Sequence, residues 1–207
     1  MTVSGSIYGV VLNDRAEREG MQPQFAQKPY QAPPEAPVVY MKARQCVARG
    51  EARLPEGKSV RAGATLALLF ARDACRVDAA NALACVGGVA LALDLSLPQE
   101  NYYRPAIAQS NRDGFLQLGA FVAPVWPEEI VTRIDGVEAH RWRLDRLVRP
   151  AADLIAALSG FMTLRAGDVL LIGLPGDAPM IGAGQDALVE AAGLPALSVR
   201  MEAEIAA

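Results

Sequence analysis

Histidine is almost absent from this chain: His140 is the only one. No serine or cysteine motif accompanies it, so a nucleophilic triad built on an imidazole is excluded. Cysteine is scarce too. Cys46, Cys75 and Cys85 are odd in number and lack CxxC spacing. That excludes a disulfide framework and a cysteine zinc site, fits a reducing cytosol, and leaves the three thiols as packed core groups. There is no basic block; net charge is -3 with both signs interspersed, which argues against nucleic acid as a partner. No apolar run reaches the roughly 18 residues of a membrane span. The longest, Ala82 to Leu93, is short and broken by two glycines. The opening Met1-Thr-Val-Ser-Gly-Ser-Ile-Tyr-Gly9 has no basic stretch followed by an apolar core, so it does not read as a secretory signal and a cytoplasmic protein is expected. Gly173-Leu-Pro-Gly176 lacks the Lys-Ser/Thr of a phosphate loop and reads as a tight turn.

What is present suits one packed domain over residues 1–207. Hydrophobic residues make up 52% and charged residues 21% of the 207. Strands are expected over 5–12, 38–42, 63–72, 89–95 and 167–173, from apolar runs of strand length. Residues 13–31 are polar and read as a loop with one helical turn, and 50–57 as turn-rich. Asp135-Gly136 between two strand-like arms predicts a hairpin over 130–143. A second hairpin is expected over 186–204 about Gly193-Leu-Pro195. Two helices are predicted. One spans 77–86 and ends at Gly87-Gly88; the other is amphipathic, spans 145–158 and starts properly near Pro150. The sum is a strand-dominated α+β domain.

Chemistry concentrates between Asp94 and Asp113, where Glu100, Tyr102, Tyr103, Arg104 and Arg112 also lie. Asp94 is open to two readings, a metal ligand or a structural carboxylate paired with Lys42 or Arg112. Lys42 reads as a clamp for a substrate carboxylate or as an ion-pair partner. Arg104 and Arg112 suit a dicarboxylic substrate, because a guanidinium grips carboxylate bidentately, or else form surface salt bridges.

Several stretches occur in one order: Lys42 on a strand, the apolar strand 63–72, Ala92-Leu-Asp-Leu-Ser96, Arg112-Asp-Gly-Phe-Leu-Gln-Leu-Gly119, the Asp-Gly hairpin and Leu164-Arg-Ala-Gly-Asp-Val-Leu-Leu-Ile-Gly-Leu-Pro-Gly176. In that order they resemble the fumarylacetoacetate hydrolase family over about residues 5–200. Lys28-Pro-Tyr-Gln-Ala-Pro-Pro34 and Tyr103-Arg-Pro-Ala-Ile107 are similar to the branch made of N-terminal halves or subunits of isomerase/decarboxylases of 4-hydroxyphenylacetate breakdown. The resemblance implies a mixed β-sandwich roll.

The resemblance also implies Mg²⁺ or Mn²⁺ held by a Glu-x-Glu and a later Asp, polarising a 2-oxo or 2-hydroxy acid. Asp94 falls at the aspartate position. The Glu-x-Glu position reads Gly63-Ala64-Thr65, a lysine position reads Ser110, and an early histidine is missing near Glu17. No metal ligand set and no cofactor are therefore expected in this chain. Glu17, Lys42, Asp94 and Asp113 remain as candidates for proton transfer; Tyr103, Arg104 and Arg112 remain for binding a di- or tricarboxylate. The implied partner is a second copy or a metal-competent paralogue of the C-terminal type. The implied activities are isomerisation of 2-hydroxyhepta-2,4-diene-1,7-dioate and decarboxylation of 5-oxopent-3-ene-1,2,5-tricarboxylate, the alternative being a catalytically silent scaffold.

Overall fold

A computed structural model describes residues 3–99 and 101–204; Glu100 lies outside them. The elements in chain order are β1 (Ile7–Val11), α1 (Arg15–Gly20), α2 (Gln22–Phe25), β2 (Val38–Lys42), β3 (Val47–Ala48), β4 (Glu51–Leu54), β5 (Ser59–Phe70), α3 (Ala79–Ala82), β6 (Val86–Ser96), α4 (Ile107–Ser110), β7 (Leu116–Leu118), β8 (Glu129–Ile134), β9 (Val137–Arg143), α5 (Ala151–Ser159), β10 (Val169–Leu171), β11 (Met180–Gly182), β12 (Asp186–Glu190) and β13 (Leu197–Ala203). They build two mixed sheets. The larger runs β2-β1-β10-β5-β6-β7-β3, with β11 added along the start of β5; the smaller runs β4-β13-β12-β8-β9.

The long strand β5 organises the molecule. Its side chains alternate between faces, as a pleated strand requires. Val60, Ala62, Ala64, Leu66, Leu68 and Phe70 join the main core with Ile130, Trp142, Val189, Val199 and Met201 of the smaller sheet. Each fully buried Leu or Val there contributes about 1.5–3 kcal/mol. Ala67 and Leu69 point the other way, into a second cluster with Ile7, Ala92, Leu116 and Val169. Toward the start of the strand this second face carries Arg61, Gly63 and Thr65. Its neighbour β6 runs antiparallel and sets Ser96 opposite Arg61, Asp94 opposite Gly63 and Ala92 opposite Thr65.

The strand-dominated α+β reading matches this architecture, and both hairpins form at the expected turns. Five expectations are corrected. The helix over 77–86 is a single α turn, α3, followed by a 3-10 turn at Leu83–Cys85. Val86 pairs with Phe70, so the ladder takes the backbone groups that a longer helix would have used, and Gly87-Gly88 lie inside β6. The strand expected to begin at 63 starts at Ser59, because β11 and β6 both supply partners there. Residues 13–31 hold two short helices, and 50–57 holds β4. The amphipathic helix starts after Pro150 and buries Leu154, Ile155 and Leu158. Cys46 and Cys85 are buried, whereas Cys75 is exposed and is no core thiol.

Candidate functional site

The second face of β5 floors a two-lobed cleft. One lobe is built around Asp94. Lys42 and Tyr40 are two residues apart on β2, so they share a sheet face. The Lys42 ammonium sits 2.7 Å from Asp94 Oδ1, with both side chains almost wholly buried. It also donates to the carbonyls of Leu95 at 3.0 Å, Ser110 at 2.5 Å and Phe115 at 3.2 Å. Tyr40 donates its hydroxyl proton to Asp94 Oδ2 at 2.6 Å. Burial, the neighbouring Asp94 charge and this bond together push the Tyr40 hydroxyl well above its ordinary ionisation range. Tyr40 reaches Asp94 because Gly9 stands opposite it on β1; a Cβ there would lie 2.2 Å from the Tyr40 ring. Both oxygens of Asp94 are thus bound, and its charge is neutralised inside the protein.

The other lobe is built around Glu17. Asp14 caps α1, accepting from the Ala16 amide, and so fixes the turn that presents Glu17. The Leu12 amide donates to Glu17 Oε2 at 3.2 Å, and the Tyr102 hydroxyl donates to Oε1 at 2.6 Å. Arg61 donates to the Tyr102 oxygen at 3.3 Å and to the carbonyls of Pro175 and Gly176. Burial raises the Glu17 carboxyl above its ordinary value, and the bond from Tyr102, the Arg61 charge and the Leu12 amide pull part of the way back. Burial also raises the Tyr102 hydroxyl, helped by the adjacent Glu17. Gly176 packs directly on Glu17: a Cβ would fall 2.5 Å from the Glu17 Cβ.

An ion network braces the Glu17 lobe, and its Asp177 is part of that lobe's wall. Arg146 binds both oxygens of buried Asp14 at 3.0 and 2.5 Å and also reaches Asp177 at 2.9 Å. His140 Nε2 lies 3.0 Å from Asp177 Oδ1. Burial works against ionisation of Asp177, yet the bonds from Arg146 and His140 lower its carboxyl to about 2. The only histidine therefore stands in a bracing contact.

The Glu17 lobe encloses about 530 Å³ and the Asp94 lobe about 400 Å³. Arg61, Ser96, Gln99 and Tyr102 line both and form the partition. Of the residues singled out in the sequence, Glu17 lines the first lobe, while Asp94, Tyr103 and Arg104 line the second, with Lys42 behind Asp94. Arg112 and Asp113 are not brought to this cleft. They line a separate groove with Glu51, Arg53 and Glu204, where Arg112 bonds Glu204 at 2.9 Å and lies over the Phe115 ring. Tyr40 and Arg61 escaped the sequence reading, and Tyr102 was noted in the polar segment but given no role. Tyr40 carried a usable signal, its period-two spacing from Lys42; the other two join the site only through contacts across the fold.

The donor set does not fit a divalent cation. The register puts Gly63 and Thr65 on the same sheet face as Asp94, so the three positions where the resemblance expects carboxylates do share a face, but two are uncharged. A Cβ on Gly63 would already lie 2.9 Å from Leu174. The remaining carboxylate is taken by Lys42 and Tyr40. Among the described residues no group of three or more His, Cys, Asp or Glu side chains stands close enough to hold a metal.

Known proteins agree with this architecture. The family model described as fumarylacetoacetate (FAA) hydrolase C-terminal matches residues 6–202. A 4-hydroxyphenylacetate degradation bifunctional isomerase/decarboxylase from Salmonella dublin is 41% identical over 98% of this chain and 48% of its own length. The chain spans about half the length of the curated isomerase/decarboxylases it matches. A 5-carboxymethyl-2-hydroxymuconate delta-isomerase structure from Mycobacterium smegmatis superposes with TM-score 0.83 at 24% identity, covering 99% of this chain and 81% of that one. A fumarylpyruvate hydrolase structure from Pseudomonas aeruginosa, in complex with Mn²⁺ and pyruvate, superposes with TM-score 0.78 at 22% identity, covering 97% and 90%. With the fold, the motif order and the matched span in accord, the chain belongs to the fumarylacetoacetate hydrolase C-terminal family.

Proposed function

We propose that this chain is one subunit or half of an isomerase/decarboxylase of 4-hydroxyphenylacetate catabolism, acting in the cytoplasm beside a paralogue that holds the metal. The observation that carries this reading is the 41% identity over 98% of the chain to a bifunctional relative twice its length. The substrate of the isomerase step is 2-hydroxyhepta-2,4-diene-1,7-dioate. That of the decarboxylase step is 5-oxopent-3-ene-1,2,5-tricarboxylate.

The two steps ask for different chemistry. Isomerisation moves a proton from the enol oxygen to a carbon of the conjugated chain, and a positioned carboxyl can do this. Glu17 is the group in this chain with the placement for it. Tyr103 and Arg104, at the mouth of the Asp94 lobe, offer a ring face and a guanidinium to a carboxylate end of the substrate. Lys42 and Asp94 neutralise one another and hold β2, β6 and the turn before β7 in place. Decarboxylation needs a sink for the electron pair left on carbon, and it falls to the metal-bearing partner, in a dimer of two like folds.

The test is a spectrophotometric assay of both substrates with the purified chain, alone and with a candidate paralogue, each with and without Mg²⁺. The expected result is isomerisation by this chain without added metal, and decarboxylation only when the paralogue and Mg²⁺ are both present. Failure of the chain to isomerise the dienol in every combination would overturn the reading.

A further inference from the structure

The cleft contains two part-buried tyrosine–carboxylate pairs, and they differ in what surrounds them. Tyr40–Asp94 is backed by an ammonium held by three carbonyls besides Asp94. Tyr102–Glu17 has no cation against its carboxylate among the described residues. Its cation, Arg61, contacts the tyrosine oxygen instead, at 3.3 Å. Tyr102 also lines both lobes, at the partition between them. The Tyr30 hydroxyl receives the Tyr102 amide at 2.6 Å, which pins the backbone at this point. The arrangement spends several fixed contacts on one phenol at the junction of two cavities.

We propose that Tyr102 is a second catalytic residue, a proton relay between substrate and Glu17, and that Arg61 is its positioning residue. The inference rests on the proton-transfer reading given for Glu17 and extends it to a substrate class: 2-hydroxy-2-enoates and their 2-oxo tautomers bearing a second carboxylate. In the first step the enol O–H bond breaks and its proton passes to the Tyr102 oxygen, while Tyr102's own proton moves to Glu17 Oε1. The oxygen's electron pair becomes the new C=O bond and the conjugated double bonds shift. In the second step the displaced π pair takes the proton from the Glu17 carboxyl to form a C–H bond. Glu17 and Tyr102 end as they began, and no oxidant or co-reactant is consumed. The Arg61 guanidinium faces the negative charge that the intermediate carries. The relay lets one carboxyl serve two substrate atoms that its own two oxygens could not reach together.

The test uses the full chain with EDTA present and two probes. One is 2-oxoadipate, whose C3 protons exchange with D₂O through the enol and are followed by proton NMR; the other is the dienol, followed by its absorbance. The variants are Tyr102→Phe, Arg61→Met and Glu17→Gln, with unchanged melting as the check on folding. Tyr102→Phe is expected to slow exchange by at least about 10-fold, with the concentration for half-maximal rate changed less than about 2-fold. Arg61→Met is expected to move the acidic limb of the exchange rate to higher pH, since the guanidinium favours the ionised carboxyl; a purely structural role would leave the limb in place. Exchange by Tyr102→Phe as fast as by the unaltered chain, on whichever probe the chain accepts, overturns the relay. Exchange of 2-oxoadipate without action on the dienol would remove the substrate named above and leave the relay standing. Turnover of the dienol that Tyr102→Phe does not slow would do the reverse. Inactivity on both probes overturns both.

Discussion

The two lobes of the cleft pair a carboxylate with a tyrosine at the same 2.6 Å, yet they solve the cost of burying an acid in opposite ways. Asp94 meets an ammonium directly at 2.7 Å, and that ammonium is itself saturated by main-chain carbonyls. The Asp94 lobe is thereby locked. Glu17 meets only neutral donors, a tyrosine hydroxyl and the Leu12 amide, and its nearest guanidinium acts at one remove. A carboxyl in that setting holds its proton more tightly than a free one, because burial disfavours its charge and no cation touches it among the described residues. The difference teaches that similar contact lists can describe a strut in one place and, on the function proposed above, a proton-transfer group in another; the deciding feature is where the positive charge sits.

The sharpest way to break the contrast is Lys42→Met. It leaves Asp94 buried with Tyr40 alone, and a loss of about 3–5 kcal/mol in urea unfolding is expected. Gly9→Ala should come next. The added methyl collides with the Tyr40 ring, and overpacking of this kind costs about 1–3 kcal/mol; a melting curve reads it, and an unshifted melt would mean that the ring is not held there. Glu17→Gln probes the other lobe by the sign of its pH dependence. The folded chain holds the Glu17 proton more tightly than the unfolded chain does, so ionising Glu17 destabilises the fold as pH rises from its ordinary 4.5 through the raised value. The melting midpoint of Glu17→Gln, compared with the unaltered chain, should therefore climb from acidic to neutral pH. A constant difference would show that Glu17 is not desolvated. Arg112→Ala should have the smallest effect, about 0.2–1 kcal/mol and fading with added salt, because its partner Glu204 is a surface group.

Strands whose apolar runs are continuous, such as β5 and β6, were legible in the sequence, as were the Asp-Gly hairpin and the helix after Pro150. Some short pieces were not. β7 has too few residues for periodicity to declare itself, α3 was read as part of a longer helix, and β4 sits in a stretch read as turns. Asp94 and Glu17 could be picked out as carboxylates with a resemblance behind them. Their partners could not. Tyr102 lies 85 residues from Glu17 and Tyr40 lies 54 from Asp94. Such distances in sequence are closed by the packing of sheet, α1 and the loop after β6, and pattern reading did not supply that packing. Arg112 and Asp113 were expected at the same site as Arg104, the arginines for binding and the aspartate for catalysis, because all three share one polar segment; α4 lies between them in sequence, and Arg112 and Asp113 line a different groove.

The alternation along β5 has a consequence for how such a protein can change over time. Residues 60, 62, 64, 66, 68 and 70 answer to the neighbouring sheet, and 61 and 63 answer to the cavity. Selection on catalysis and selection on folding therefore read different letters of the same word. Acidic residues could be erased from one set, and a new chemistry tried there, while the other set kept the molecule standing.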